Sequence, residues 1–213
     1  MPIDIKICGL KTAAALDAAL FGGASHVGFI FFPKSPRNIA PLEAGRLREA
    51  ALGRAKAVAV TVDADDALLD AIVAAMAPDM LQLHGKESPA RVAEVKARYG
   101  LPVMKAFSVS EAADVTAAEA FRGVADRMLF DARPPKGAEL PGGNGVPFDW
   151  HILDGYRGDY FLSGGLTPEN VGAAIRLLEP PGLDVSSGVE SAPGVKDAEL
   201  IAAFFAAVRA AKG

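Results

Sequence analysis

The feature of this sequence that most constrains its fold is the regular alternation of short apolar runs with longer stretches rich in Ala and Leu. Eight runs of four to seven residues are typical of buried β-strands. The predicted strands are Asp4–Cys8, His26–Phe32, Ala57–Asp63, Met80–His84, Val103–Ser108, Arg127–Asp131, Tyr160–Ser163 and Leu183–Ser186. The predicted helices are Ala13–Phe21, Pro41–Ala51, Asp65–Ala75, Pro89–Tyr99, Glu111–Ala120, Trp150–Asp154, Pro168–Leu178 and Asp197–Ala211.

This alternation predicts parallel strands joined by crossover helices. Eight strand–helix units in 213 residues leave about 27 residues per unit, near the lower limit for a (β/α)8 TIM barrel. An open, doubly wound sheet is the alternative, but such a sheet usually carries a glycine-rich fingerprint after its first strand. Here the first strand ends in Cys8-Gly9-Leu10. We therefore expect an α/β fold, a single (β/α)8-barrel domain over residues 1–213.

Local sequence signals support several helix starts. Asp65 and Ser88 are suited to cap helix N-termini, and Pro89 and Pro168 fit the first turn of a helix. The sixth predicted helix follows a long loop, residues 134–147, that is rich in Pro and Gly.

Composition limits the possible partners and compartment. The net charge is −4 and the basic residues are scattered, so no nucleic-acid surface is expected. The N-terminus resembles no secretory signal, and the apolar stretches are far shorter than the ~20 residues of a membrane helix. One cysteine cannot form an intrachain disulfide, which fits a reducing compartment. We expect a soluble cytoplasmic protein, a monomer rather than a homodimer, without membrane partners.

The sequence also lacks the usual cofactor motifs. The three histidines have no metal-ligand spacing, and no P-loop, dinucleotide fingerprint or nucleophile elbow is present. We therefore expect neither a metal site nor a cofactor.

The unusual residues of the chain follow the predicted strands, and active sites of (β/α)8 barrels lie at that face. Cys8 ends the first strand, His84 the fourth and Asp131 the sixth, and Arg37 lies in the loop after the second. A lone cysteine is more often an inert apolar residue than a nucleophile. Asp131, flanked by apolar residues, is suited to a general acid or to a cap or ion pair. The guanidinium of Arg37 is suited to bind a carboxylate, and the alternative is an arginine that only contacts solvent.

Two glycine-rich segments, S-G-G-L (163–166) and S-S-G-V (186–189), follow strands 7 and 8. This is the usual phosphate site of the fold, because glycine lets backbone N–H groups approach an anion. Tight turns without a ligand are the alternative interpretation. G-G-N-G (142–145) contributes further donors, acts as a lid or forms a loop without ligand contacts.

The two-residue repeat of a strand adds a hypothesis about charge. If Cys8 points into the barrel, Lys6 does too, and a buried lysine needs a partner. Asp184 on the neighbouring eighth strand is the predicted partner. Gln82 and His84 share one face of strand 4 in the same way, and His84 contacts a substrate or forms a hydrogen bond at the rim.

With these residues assembled, the sequence resembles phosphoribosylanthranilate isomerase, a (β/α)8-barrel family of tryptophan biosynthesis. The segments that carry the resemblance are K-I-C-G-L (6–10), F-F-P-K-S-P-R (31–37), Q-L-H-G (82–85), L-F-D-A (129–132), G-G-N-G-V-P-F-D-W (142–150), L-S-G-G-L-T-P-E-N-V (162–171) and D-V-S-S-G-V-E (184–190). They span nearly the whole chain in the family's order.

The resemblance implies an Amadori rearrangement of N-(5-phosphoribosyl)anthranilate, without a cofactor. It assigns the general base to Cys8, the general acid to Asp131 and the contact with the anthranilate carboxylate to Arg37. It assigns phosphate binding to the segments that contain Gly143, Gly164, Gly165, Ser187 and Gly188. A thiol of ordinary pKa is only a few per cent ionised at pH 7, so we expect a lowered pKa of Cys8, to which Lys6 or the polar mouth of the barrel contributes.

Three other functions fit parts of this pattern. A sister barrel isomerase of histidine biosynthesis performs the same rearrangement on an aminoimidazole ribotide, but there an aspartate is expected where this chain has Cys8. Indole-glycerol phosphate synthase would need a catalytic lysine at a strand end. A non-catalytic phosphosugar-binding barrel would not need both Cys8 and Asp131.

Overall fold

The computed structural model describes residues 3–133, 137, 142 and 148–212. Eight parallel strands close into a barrel in chain order, and β8 pairs with β1. The strands are β1 (Asp4–Cys8), β2 (His26–Phe31), β3 (Lys56–Thr61), β4 (Met80–Leu83), β5 (Val103–Val109), β6 (Arg127–Ala132), β7 (Tyr160–Leu162) and β8 (Gly182–Val185). The predicted TIM barrel is confirmed, with strand ends shifted by at most two residues.

Seven α-helices surround the barrel in the described part of the chain. They are α1 (Ala13–Gly22), α2 (Pro41–Ala51), α3 (Asp66–Met76), α4 (Pro89–Tyr99), α5 (Ala112–Ala118), α6 (Val171–Leu178) and α7 (Ala198–Lys212). The side chains of Asp65 and Ser88 accept hydrogen bonds from backbone N–H groups at the starts of α3 and α4, as predicted. Pro89 occupies the first turn of α4.

Three local predictions are wrong. The sixth predicted helix is only a 3-10 turn, Trp150–Leu153, and α6 begins at Val171 rather than Pro168. The residues before α6 are held outside the helix by Asn170, because its side chain accepts a hydrogen bond from Thr167 N and donates one to the Gly165 carbonyl. After a further 3-10 turn, Ser187–Val189, the chain forms an unpredicted hairpin from β9 (Glu190–Ala192) and β10 (Val195–Lys196).

The barrel interior is a compact apolar cluster that supports the carboxyl ends of the strands. Its members alternate along the strands: Cys8, Val58, Val60, Met80, Met104, Ala106, Leu129 and Phe161, with Ile30 against them. The much larger outer core lies between strands and helices. Several buried polar side chains lie near or just after the carboxyl ends of the strands: Gln82, Asp131, Ser163 and Asp184.

A second polar cluster lies at the amino end of the barrel. His26 is buried with its ring edge on Phe161 at 5.2 Å between centroids, and its Nδ1 is 2.8 Å from Ser25 Oγ. Burial lowers the pKa of His26 to about 4. The guanidinium of Arg127 pairs with Asp4 at 2.8 Å. This end of the barrel therefore holds a neutral histidine among structural ion pairs.

Candidate active site

One pocket at the carboxyl ends of the strands collects most of the predicted site residues. Its lining includes Cys8, Arg37, His84, Asp131, Gly164, Gly165 and Ser187. These residues come from β1, the loop after β2, and the ends of β4, β6, β7 and β8. The predicted convergence at one face is therefore confirmed, while the role of each residue stays a prediction.

Cys8 lies above a buried ion pair. The side chain of Lys6 is 0% exposed and its Nζ is 2.7 Å from Asp184 Oδ1, as the strand register of β1 and β8 requires. Asp184 Oδ2 accepts a hydrogen bond from Ser163 Oγ at 3.0 Å. Burial alone would lower the pKa of Lys6, but the Asp184 carboxylate raises it, so Lys6 is charged. The predicted pairing of Lys6 with Asp184 is confirmed.

Gly28 provides the space for this arrangement. It faces inward on β2, and a Cβ at Gly28 would lie 3.0 Å from Cys8 Sγ and 3.2 Å from Lys6 Cε. Any larger residue would crowd the thiol and the lysine stem.

The expected lowering of the Cys8 pKa is wrong in this structure. Burial raises the pKa of the thiol, and the nearby Asp184 carboxylate adds to this, whereas Lys6 and Lys196 oppose it. Desolvation disfavours a buried thiolate more than these already paired cations favour it. The environment of Cys8 in this structure therefore favours the protonated thiol over the thiolate.

Asp131 faces His84 across the pocket. Its Oδ1 accepts from Ala132 N at 2.9 Å, and its Oδ2 lies 3.4 Å from His84 Nε2. The Gln82 amide is 3.0 Å from His84 Nδ1. Among the described residues, the buried His84 Nε2 forms no hydrogen bond, so its separation from Asp131 Oδ2 is a proximity and not a bond. A Cβ on Gly142 would sit 2.3 Å from Asp131 Oδ2, so any larger residue there would displace the Asp131 carboxylate.

Arg37 is buried rather than solvated. Its Nε donates to Glu190 Oε1 at 2.8 Å and its Nη2 donates to Glu190 Oε2 at 2.9 Å. Lys196 Nζ lies 2.6 Å from Glu190 Oε1. Burial would raise the pKa of Glu190, but hydrogen bonds from Arg37 and Lys196 lower it. This three-residue cluster was missed, although Glu190 closes the D-V-S-S-G-V-E segment.

The two glycine-rich segments lie side by side. Gly164 and Gly165 have φ values of +84° and +64°, which favour glycine. Gly188 is not among the pocket-lining residues, because it packs against the other segment: a Cβ there would sit 1.8 Å from the Leu166 carbonyl oxygen. Gly143 lies outside the described residues. Phosphate binding by these segments stays a prediction.

Two further findings concern residues 3–133 and 148–212. No helix among them is both long and apolar enough to cross a membrane. No group of three or more His, Cys, Asp and Glu side chains among them is arranged to hold a metal ion.

Comparison with known proteins identifies close relatives. The sequence profile of the N-(5'-phosphoribosyl)anthranilate (PRA) isomerase family matches residues 5–207. The N-(5'-phosphoribosyl)anthranilate isomerase of Mesorhizobium japonicum is 71% identical over 100% of this chain and 98% of its own length. The Chelativorans sp. protein of the same name is 65% identical over 100% of this chain and 99% of its own.

Solved structures agree with these sequence matches. Phosphoribosylanthranilate isomerase of Thermotoga maritima superposes with a TM-score of 0.87 at 33% identity, covering 98% of this chain and 100% of that one. A structure in complex with reduced 1-(o-carboxyphenylamino)-1-deoxyribulose 5-phosphate has a TM-score of 0.84 at 31% identity, with the same coverage. Monomers generated from the dimeric Thermotoga maritima protein match with a TM-score of 0.83 at 31% identity, again with the same coverage.

Proposed function

Because this chain belongs to the N-(5'-phosphoribosyl)anthranilate isomerase family, we propose that it converts N-(5'-phosphoribosyl)anthranilate to 1-(2-carboxyphenylamino)-1-deoxyribulose 5-phosphate in tryptophan biosynthesis. The observation that carries the residue assignment is the shared pocket of Cys8, Asp131 and Arg37. A thiol, a carboxyl group and a guanidinium supply a base, an acid and a carboxylate receptor. The glycine-rich segments after β7 and β8 lie at the same face, where this fold holds phosphate.

Asp131 acts first in the proposed reaction, as the general acid. In its protonated form it donates to the furanose ring oxygen while the bond from that oxygen to C1′ breaks. The lone pair of the anthranilate nitrogen forms the C1′=N bond, which gives an open-chain Schiff base. Positioned proton donation of this kind accelerates a reaction by about 10²–10⁴-fold. The hydrogen bond that Asp131 Oδ1 accepts from Ala132 N holds the carboxyl group at the pocket wall.

Cys8 acts second, as the general base. Its thiolate takes the proton from C2′, and the C2′–H electrons form a C1′=C2′ bond while the C=N electrons return to nitrogen. The resulting enolamine tautomerises when its C2′ hydroxyl becomes a ketone and C1′ gains a proton. Since burial raises the Cys8 pKa, we propose that the iminium charge of the bound substrate joins Lys6 in favouring the thiolate.

The substrate itself supplies the electron sink for this sequence. Arg37 meets the anthranilate carboxylate, and the segments of Gly164, Gly165, Ser187 and Gly188 hold the phosphate, with Gly143 as a further contact. No cofactor enters the proposed steps. We further propose that the protein is a cytoplasmic monomer, which size-exclusion chromatography with light scattering would test.

The decisive experiment follows the loss of fluorescence as N-(5'-phosphoribosyl)anthranilate, formed in situ from anthranilate, is consumed. The wild-type protein is expected to turn it over, and Cys8→Ala and Asp131→Asn should each reduce kcat by at least about 10²-fold while substrate still binds. Unchanged kcat in either variant would contradict the assigned roles. Inactivity of the wild type here, with turnover of an aminoimidazole ribotide, would favour the sister isomerase instead.

A further inference from the structure

We propose that Glu190 is a positioning residue that orients the Arg37 guanidinium for the carboxylate of the substrate. The inference rests on the proposed function and extends it to a residue on the β9–β10 hairpin. It would explain why a hairpin follows β8, at the rim of the pocket that Arg37 lines.

The geometry of the pair determines the plane of the guanidinium. Glu190 contacts both Nε and Nη2 of Arg37, at 2.8 and 2.9 Å, so two parallel hydrogen bonds fix the fork against rotation. The side chains are 5% and 3% exposed for Arg37 and Glu190. A buried bidentate pair of this kind holds its orientation far better than one at the surface.

The Glu190 carboxylate has no capacity left for chemistry of its own. Oε1 accepts from Arg37 and Lys196, and Oε2 accepts from Arg37 and from Gly194 N at 3.1 Å. An ionised carboxylate offers about four lone-pair sites, so all of them are occupied. Glu190 therefore acts through Arg37, neither as a base nor as a ligand for substrate.

The hairpin is itself held against the loop that carries Arg37. A Cβ on Gly194 would sit 2.5 Å from the Pro36 carbonyl oxygen, so the turn of the hairpin packs directly on that loop. Lys196 Nζ also donates to the Ser186 carbonyl at 2.9 Å, and Ser186 Oγ donates to the Cys8 carbonyl at 3.1 Å. The positions of Arg37 and Cys8 are thus fixed through one set of hydrogen bonds.

The test compares two ligands that differ only in the carboxylate. One is the reduced product, the amino alcohol 1-(2-carboxyphenylamino)-1-deoxy-pentitol 5-phosphate, and the other is its phenylamino counterpart. Calorimetric titration of Glu190→Gln, which keeps the shape but disrupts the fork, should show about 10- to 100-fold weaker binding of the carboxylated ligand. Binding of the phenylamino ligand should change by less than about threefold. Glu199→Gln removes the same charge at an exposed site and should leave both affinities unchanged.

Kinetics and a second variant complete the test. Glu190→Gln should raise KM more than it lowers kcat, because the contact it weakens is made in both the ground state and the transition state. When Glu190→Gln is added to an Arg37→Lys variant, the preference for the carboxylated ligand should change little further. The reason is that Glu190 acts through Arg37. If Glu190→Gln does not fold, the same two-ligand comparison is made with Lys196→Met, which removes a hydrogen bond to Glu190 rather than Glu190 itself.

The outcomes separate the inference from the proposed function. Equal weakening of both ligands in the tested variant would show a merely structural role and overturn the inference. Unchanged binding of both ligands would overturn it as well. A wild-type protein that neither binds the reduced product nor turns over substrate would instead overturn the proposed function.

Discussion

The side chain of Arg37 lies directly on the backbone of Gly9: a Cβ built on Gly9 would sit only 2.7 Å from Arg37 Cδ. Gly9 follows Cys8 and has a φ of +81°. The glycine after the cysteine therefore does two things, turning the chain out of β1 and leaving room for the arginine stem. The proposed base, Cys8, and the proposed carboxylate receptor, Arg37, lie close together because position 9 carries no side chain.

Gly9→Ala should weaken substrate binding and stability together. The new methyl group must displace Arg37, and the backbone is strained, so we expect a KM increase of about tenfold and a loss of about 1–3 kcal/mol of unfolding free energy. Steady-state kinetics and urea unfolding measure the two effects. Gly53→Ala is the matched control, because Gly53 has a φ of +71° with no atom within 4 Å of its added Cβ. A KM increase in both variants would contradict the role of the Arg37 contact.

Lys6→Met should destabilise the protein and make Cys8 harder to ionise. The change leaves the Asp184 carboxylate buried without its cation, which costs about 3–5 kcal/mol. It also removes the cation that lowers the Cys8 pKa most, leaving Lys196, while Asp184 still raises that pKa. The acidic limb of the kcat/KM profile should therefore move to higher pH. Exposed Lys56, changed to Met, should leave that limb in place.

His26 should make the fold sensitive to acid. Its folded pKa of about 4 is below the unfolded value of about 6.5, so the unfolded chain binds more protons between these values. Stability is thus complete above pH 6.5 and falls as the pH drops toward 4, by at most about 3 kcal/mol from this group. His26→Gln should flatten that part of the curve, measured by urea unfolding from pH 4 to 8. The exposed His151, changed to Gln, should not.

Gly188→Ala should impair phosphate binding specifically. Its Cβ would overlap the Leu166 carbonyl oxygen, so the two glycine-rich segments must separate. We expect inhibition by inorganic phosphate to weaken about tenfold or more, because both segments supply the proposed site. Gly172→Ala in α6, where the added Cβ has open space apart from Arg176 and Ala211, is the control. Unaltered phosphate inhibition in Gly188→Ala would argue against this location.

The sequence allowed the barrel and the inner ion pair to be predicted, because both follow from short-range patterns. Strand periodicity gives the inward side of β1, and eightfold closure places β8 beside it, so Lys6 meets Asp184. The end of the fifth predicted helix was less accurate, since α5 stops at Ala118 and passes into a 3-10 turn, Glu119–Phe121.

Other features could not be predicted from local patterns. Arg37 and Glu190 are 153 positions apart, and the hairpin that brings them together has strands of only three and two residues. Whether the Cys8 pKa is raised or lowered depends on how completely the barrel excludes water from the thiol. No short segment of the sequence encodes this. The start of α6 depends on Asn170 and its contacts, which compete with the preference of Pro168 for a first helical turn.

The pairing of β1 with β8 also has a consequence for how the protein is made. Lys6 and Asp184 are 178 positions apart, so during synthesis the lysine leaves the ribosome long before its carboxylate partner exists. Arg37 is likewise synthesised 153 positions before its partner Glu190. The barrel cannot close until the last strand emerges, because loop closure must precede these non-local contacts. Until then the thiol of Cys8 is on an open sheet edge, and reactivity toward an alkylating reagent on stalled nascent chains would report the moment of closure.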